Sequence, residues 1–221
     1  MTTAETTPSG VSEITGADLA AWIAGKLCHD FVSPAGAIVS GLDLLKDPSA
    51  QDMRDDAMGL IEQSAAKLVH LVHFARVAFG AASTSEQFSG AELKPLLDGM
   101  FEGGRASLDW QVEDSTMSKA QSRALLNLGY LTGAALPMGG TATVCTRRES
   151  GELIIEGVAV GNRARLKPEA TVGLAGERLT EGLAGQWIQP YWLWLTVRDA
   201  GGTLAVEADE GRVSLTARMP L

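Results

Sequence analysis

Between residues 19 and 45 the apolar side chains Leu19, Ile23, Leu27, Phe31, Ala35, Ile38, Leu42 and Leu45 recur at steps of three or four. That spacing places them along one face of a single long helix, from near Gly16 to about Leu45. The run breaks at Lys46-Asp47-Pro48-Ser49-Ala50 and resumes with Met53, Ala57, Leu60, Ile61, Ser64, Leu68, Leu71, Val72, Ala75 and Phe79. Ser49 and Asp52 have the spacing of an N-terminal cap for this second helix. So short a connection forces the two helices into an antiparallel hairpin. Two helices cannot cover their own apolar seam, so a second copy is expected to complete a four-helix bundle about a two-fold axis.

The texture changes after Gly80 to Gln87, a linker of small and polar residues. Residues 15–80 are therefore expected to form the helical hairpin and 88–221 a second domain, with 1–14, rich in Thr, Ser and Glu, as a disordered tail. In the second domain Ser89 with Glu92 and Ser118 with Gln121 mark helix starts. Strands are expected over 107–112, 141–147 and 152–160, a helix from about Pro190 to Asp199, and a closing hairpin of 203–207 with 213–219. The fold class is α+β: a helical hairpin followed by an α/β sandwich with helices on one face of a mixed sheet.

A net charge of -9 argues against nucleic acid or an anionic membrane as partner. Cys28 and Cys145 form no zinc or CxxC pattern and are expected as free thiols in a reducing compartment. There is no membrane-spanning run and no basic-then-apolar leader, so a cytoplasmic protein is expected. His70 and His73 lie one helical turn apart, but no Cys, Asp or Glu joins them at ligand spacing. They are expected as half-exposed packing residues, and no metal or cofactor of the chain's own is expected.

The chemistry concentrates in Lys26-Leu27-Cys28-His29-Asp30-Phe31-Val32-Ser33-Pro34. At about 100° per residue His29 falls opposite the apolar stripe and faces solvent. Gly25, Ser33, Gly36 and Ser40 share its face and leave room for close approach. Neutral imidazole is a good nucleophile near pH 7, and Asp30 is placed to orient the ring. Pro34 lacks the N–H that would bond the Asp30 carbonyl, so a bend is expected beside His29.

His29-Asp30 followed by Ser33-Pro34 resembles the phospho-accepting segment of sensor histidine kinases. The longer run Leu27 to Ala35, continuing from Ala37 to Leu45, resembles more closely the alphaproteobacterial histidine phosphotransferases. The resemblance covers most of the chain and also implies the homodimer. It gives the second domain the order of a Bergerat-type ATP-binding domain, with departures. Where such a domain carries a magnesium-holding Asn, the stretch Asn127 to Leu136 has Gly133. Where it carries Asp-x-Gly-x-Gly, Val158 to Leu166 has no Asp, and has Arg163 and Arg165 in place of glycine. Gly173, Gly176, Gly182 and Gly185 lack the spacing of a phosphate cradle. ATP binding is expected to be lost.

The resemblance then implies a phosphorelay carrier. His29 takes a phosphoryl group from the receiver domain of a hybrid histidine kinase and gives it to response regulators, with Mg²⁺ supplied by the receivers. Lys26, Phe31, Ser33, Pro34, Gly36 and Ser40 are the expected partner-contacting residues, with Lys26 also steadying phosphoryl charge. The alternatives are a non-catalytic dimeric scaffold that binds receivers, a residual histidine kinase and a metal-binding regulator.

Overall fold

A computed structural model describes residues 14–80, 87–113 and 115–221. Helix α1 spans Gly16–Lys46, and a 3₁₀ turn, Gln51–Met53, leads into α2, Arg54–Ala78. α1 starts on a reciprocal cap: Asp18 N donates to Thr15 Oγ1 at 3.1 Å, and Thr15 N donates to Asp18 Oδ2 at 3.0 Å. The expected Ser49–Asp52 cap is not made. Ser49 donates from N and Oγ to Asp47 Oδ1 instead, an Asx-type turn that closes the connection, and α2 has no side-chain cap.

The buried positions of α1 are Lys26, Pro34 and Gly41, so its inner face lies about one residue from the centre of the expected stripe. At Gly41 the helices approach so closely that a Cβ would meet Ile61 Cγ1 at 2.6 Å and the Ala57 carbonyl at 3.1 Å. Val32, Val39 and Leu42 on α1 and Leu60, Val69 and Val72 on α2 remain exposed. Residues 1–13 and 81–86 lie outside the described residues, and with them most of the expected tail and linker. Ile14, expected in the tail, packs with Leu19, Trp22 and Ile23 against the second domain.

That domain begins with β1, Gln87–Phe88, paired antiparallel to β3, Met117–Ser118, so Gln87 lies in a strand rather than in the linker. Helices α3, Gly90–Phe101, and α4, Lys119–Ala134, both start on the expected capping boxes. The sheet comprises β2 Ala106–Gln111, β4 Gly140–Glu149, β5 Glu152–Val160, β7 Arg212–Pro220 and β6 Thr203–Asp209, in that order. β2 runs parallel to β4 and every other pairing is antiparallel. One face packs its Val144, Leu153, Ile155, Leu215 and Ala217 against Leu93 and Leu97 of α3 and Leu125 and Leu128 of α4. Two helices complete this layer: α5, Pro168–Leu174, which the sequence reading missed, and α6, Ala184–Asp199, which begins well before the expected start at Pro190.

Both helices of the hairpin are fastened to this domain. The Ala78 carbonyl at the end of α2 accepts from Trp192 Nε1 at 2.9 Å and from Asn127 Nδ2 at 3.1 Å. Arg123 donates to the Gly80 carbonyl, and partial burial lowers its pKa from the ordinary value. Near the start of α1, Trp22 meets Trp187 of α6 edge-on at 5.1 Å, and Trp187 stacks on Tyr191 at 4.6 Å.

Trp187 is 1% exposed. Trp187→Ala is expected to lower the unfolding free energy by about 3–5 kcal/mol in urea denaturation, and a loss below about 1 kcal/mol would contradict the packing role. At α3, hydrogen bonds from Ser89 hold the Glu92 carboxyl below its ordinary value of 4.5. A depressed folded-state pKa means this stabilisation is present above pH 4.5 and fades as pH falls through the lowered value. Glu92→Gln should therefore show less loss of urea midpoint than wild type on acidification through that window. Parallel profiles would contradict the cap.

Candidate functional site

His29 is 89% exposed at the middle of α1. Its Nδ1 lies 3.4 Å from Asp30 Oδ1, and the other carboxylate oxygen, Oδ2, accepts from Lys26 Nζ at 2.6 Å. Lys26 is one turn before Asp30, the spacing that brings side chains together on a helix surface. Its ammonium also stands over the Tyr130 ring of α4, 5.7 Å from the centroid. The result is a connected row: imidazole, carboxylate, ammonium and an aromatic ring of the second domain. In the neutral imidazole, an Nδ1–H donated to Asp30 leaves the Nε2 lone pair free.

The expected partner-contacting residues separate into two groups. Ser33, Gly36 and Ser40 are exposed, as is Gly25. Lys26 is not on an open docking face: it is 8% exposed, because its stem lies between α1 and α4 and its charge is paired. Pro34 is likewise buried, and α1 continues through it as a helix. Phe31 is half-buried and lines, with Leu71, Phe74 and Phe79, a narrow gap against α2. For Lys26, burial by the chain itself replaces the expected place on the docking face; Phe31 keeps the packed position its place in the apolar stripe predicts, and Pro34 is buried by the chain itself.

Beside His29 opens a cleft of about 580 Å³. One wall is α1, with Trp22, Gly25, Lys26, His29 and Asp30. The others are Tyr130, Leu131, Ala134 and Ala135 of α4, Arg165 to Lys167, and Leu183 to Gln186 at the start of α6. The three stretches whose order resembles nucleotide-binding boxes thus meet in one place, facing the histidine helix.

A Cβ at Gly133 would meet the Phe101 ring at 2.5 Å, so that ring takes the space a side chain would need. Asn127 is fully buried: its amide nitrogen donates to the Ala78 and Arg123 carbonyls, and its oxygen accepts from Gln189 Nε2 at 3.0 Å. Arg163 stands at φ 61, a left-handed conformation that favours glycine. Elsewhere, His70 Nδ1 pairs with Glu102 Oε2 at 3.1 Å, and its ring fills the space over Gly99 of α3, which makes it a packing residue. Cys28 and Cys145 are free thiols, and burial pushes the Cys145 thiol up from its ordinary value.

The sequence reading missed Trp22 and Tyr130. Trp22, Lys26 and Asp30 stand at four-residue steps beside the apolar stripe. That row was a signal for a second buried flank of α1, hidden because two of its members are charged.

Residues 90–212 match the family model described as histidine phosphotransferase C-terminal domain. The protein phosphotransferase ChpT of Brucella abortus (strain 2308) is 29% identical over 192 residues, covering 86% of this chain and 90% of the relative. A solved bacterial phosphotransferase superposes with a TM-score of 0.83 at 27% identity, over 93% of this chain and 98% of that one. The histidine kinase domain of Erythrobacter litoralis EL346 aligns with a TM-score of 0.48 at 12% identity, over 86% and 96% of the two chains. Among the described residues no helix is long and apolar enough to cross a membrane. With more than half of its length matched by the family model, the chain belongs to the histidine phosphotransferase family.

Proposed function

We propose that this protein carries a phosphoryl group on His29 between receiver domains, taking it from a hybrid histidine kinase and passing it to response regulators, without using ATP. The observation that carries the reading is an 89% exposed histidine, Nδ1 turned to a carboxylate, at the edge of a cleft wide enough for a partner to approach. In the first half-reaction the Nε2 lone pair attacks the phosphorus of an aspartyl phosphate. The N–P bond forms as the P–O bond to the donor carboxylate breaks. In the second half-reaction an acceptor Asp carboxylate attacks that phosphorus and the imidazole leaves. Such transfer asks mainly for positioning and charge stabilisation, and the receivers bring Mg²⁺. Asp30 orients the ring, while Ser33, Gly36 and Ser40 offer little bulk to an incoming receiver. Arg165 and Lys167, exposed on the far rim of the cleft, suit an acidic surface.

The absence of ATP use is supported by the ring over Gly133 and the lack of an Asp in Val158 to Leu166. Two free thiols and the lack of a spanning helix among the described residues fit a cytoplasmic relay. The apolar side chains left exposed on α1 and α2 support a homodimer through a four-helix bundle.

Label followed from ATP through a hybrid kinase should reach the wild-type protein only when the kinase is present, and His29→Ala should take up none. Label without the kinase would favour the residual kinase, and normal transfer by His29→Ala would sink the reading. Light scattering at micromolar concentration should give a dimer, and the double variant Val39→Glu, Leu42→Glu a monomer. A monomeric wild type would remove the bundle.

A further inference from the structure

We infer that Lys26 is a positioning residue for the phospho-accepting histidine, acting through Asp30, and that Tyr130 extends this control to the second domain. The inference rests on the proposed role of His29 and deepens it. Asp30 has two carboxylate oxygens with different tasks. Oδ2 is held by Lys26 Nζ at 2.6 Å, and Oδ1 is left 3.4 Å from His29 Nδ1. A free carboxylate on a helix surface turns about its side-chain bonds and exchanges its partners with water. One oxygen held by a buried ammonium fixes the plane of the other. Lys26 can do this because it is itself fixed, 8% exposed and set over the Tyr130 ring.

The chemical consequence is a choice of tautomer. Free neutral histidine favours the proton on Nε2, the form in which the outward nitrogen is not a nucleophile. A carboxylate oxygen held at Nδ1 favours the proton there and leaves Nε2 with its lone pair toward the receiver. Lys26 does not touch the phosphoryl group in this arrangement, since its charge is already paired. The same row explains how the second domain bears on the chemistry. Its Tyr130, held in turn by a ring contact with Phe74 of α2 at 5.7 Å, is the seat on which Lys26 rests.

The test combines nitrogen-15 NMR of the His29 ring, in protein above the pH of imidazole protonation, with steady-state phosphotransfer from a phosphorylated receiver. Wild type should hold mainly the Nδ1–H form, and Lys26→Met and Asp30→Asn should both shift toward Nε2–H. Each should slow transfer about tenfold or more at unchanged half-saturating receiver concentration, as a misplaced reacting group does. The double variant should be no slower than the slower single, because the two residues act as a unit. Lys26→Arg, which keeps the cation, should retain the wild-type tautomer. An unchanged tautomer in Lys26→Met, additive losses, or a loss confined to receiver affinity would each overturn the inference. The ring spectrum reads Lys26 without any transfer, so it stands or falls separately from the relay itself.

Discussion

The arrangement depends on the seating of one helix against two supports. α1 packs along α2 through Gly41, and along the second domain through Trp22 and Lys26. An edge-to-face pair of indoles adds about 0.5–1.5 kcal/mol to the large area it buries, so the Trp22–Trp187 contact is a strong anchor. The Ala78 carbonyl, accepting from both Trp192 and Asn127, fastens the other helix to the same domain. With two flanks occupied, the remaining arc of α1 is the one that carries His29, and the histidine is presented from a held helix rather than from a mobile one.

This seating gives a physical reason for the state of the second domain. Its layer of helices on a mixed sheet is intact, with a continuous apolar core. Small and polar positions of α4 are taken up by packing: Phe101 lies on Gly133, and Asn127 is tied to Gln189 and to the end of α2. In the proposed relay the phosphoryl group arrives from another protein, and what the chain supplies is a nucleophile in a fixed orientation. A domain that holds the helix in place serves that task.

Much of the fold was legible in the sequence because its signals are local. The two apolar runs and the short break gave the hairpin, and Ser89 with Glu92 and Ser118 with Gln121 gave the starts of α3 and α4. His29 was legible as solvent-facing from helical phase alone. What was not legible depends on contacts distant in sequence. Lys26 reads as a surface cation until Tyr130 and Asp30 are placed around it, and the burial of Pro34 shows only once α1 is packed. The early start of α6 was hidden by Pro190, whose missing N–H usually marks a first turn but here sits inside the helix. The Gly- and Ala-rich segment around α5 has too little periodicity to announce a helix of seven residues.

The central claim is that Nε2 of His29 is the atom that carries the phosphoryl group. The most direct measurement is phosphorus-31 and proton NMR of the protein after incubation with a phosphorylated receiver, under alkaline conditions that preserve phosphoramidates. The account predicts one phosphoramidate, bonded to Nε2 of His29, and none when ATP alone replaces the receiver. A phosphoryl group on Nδ1, on another residue, or acquired from ATP alone would contradict it.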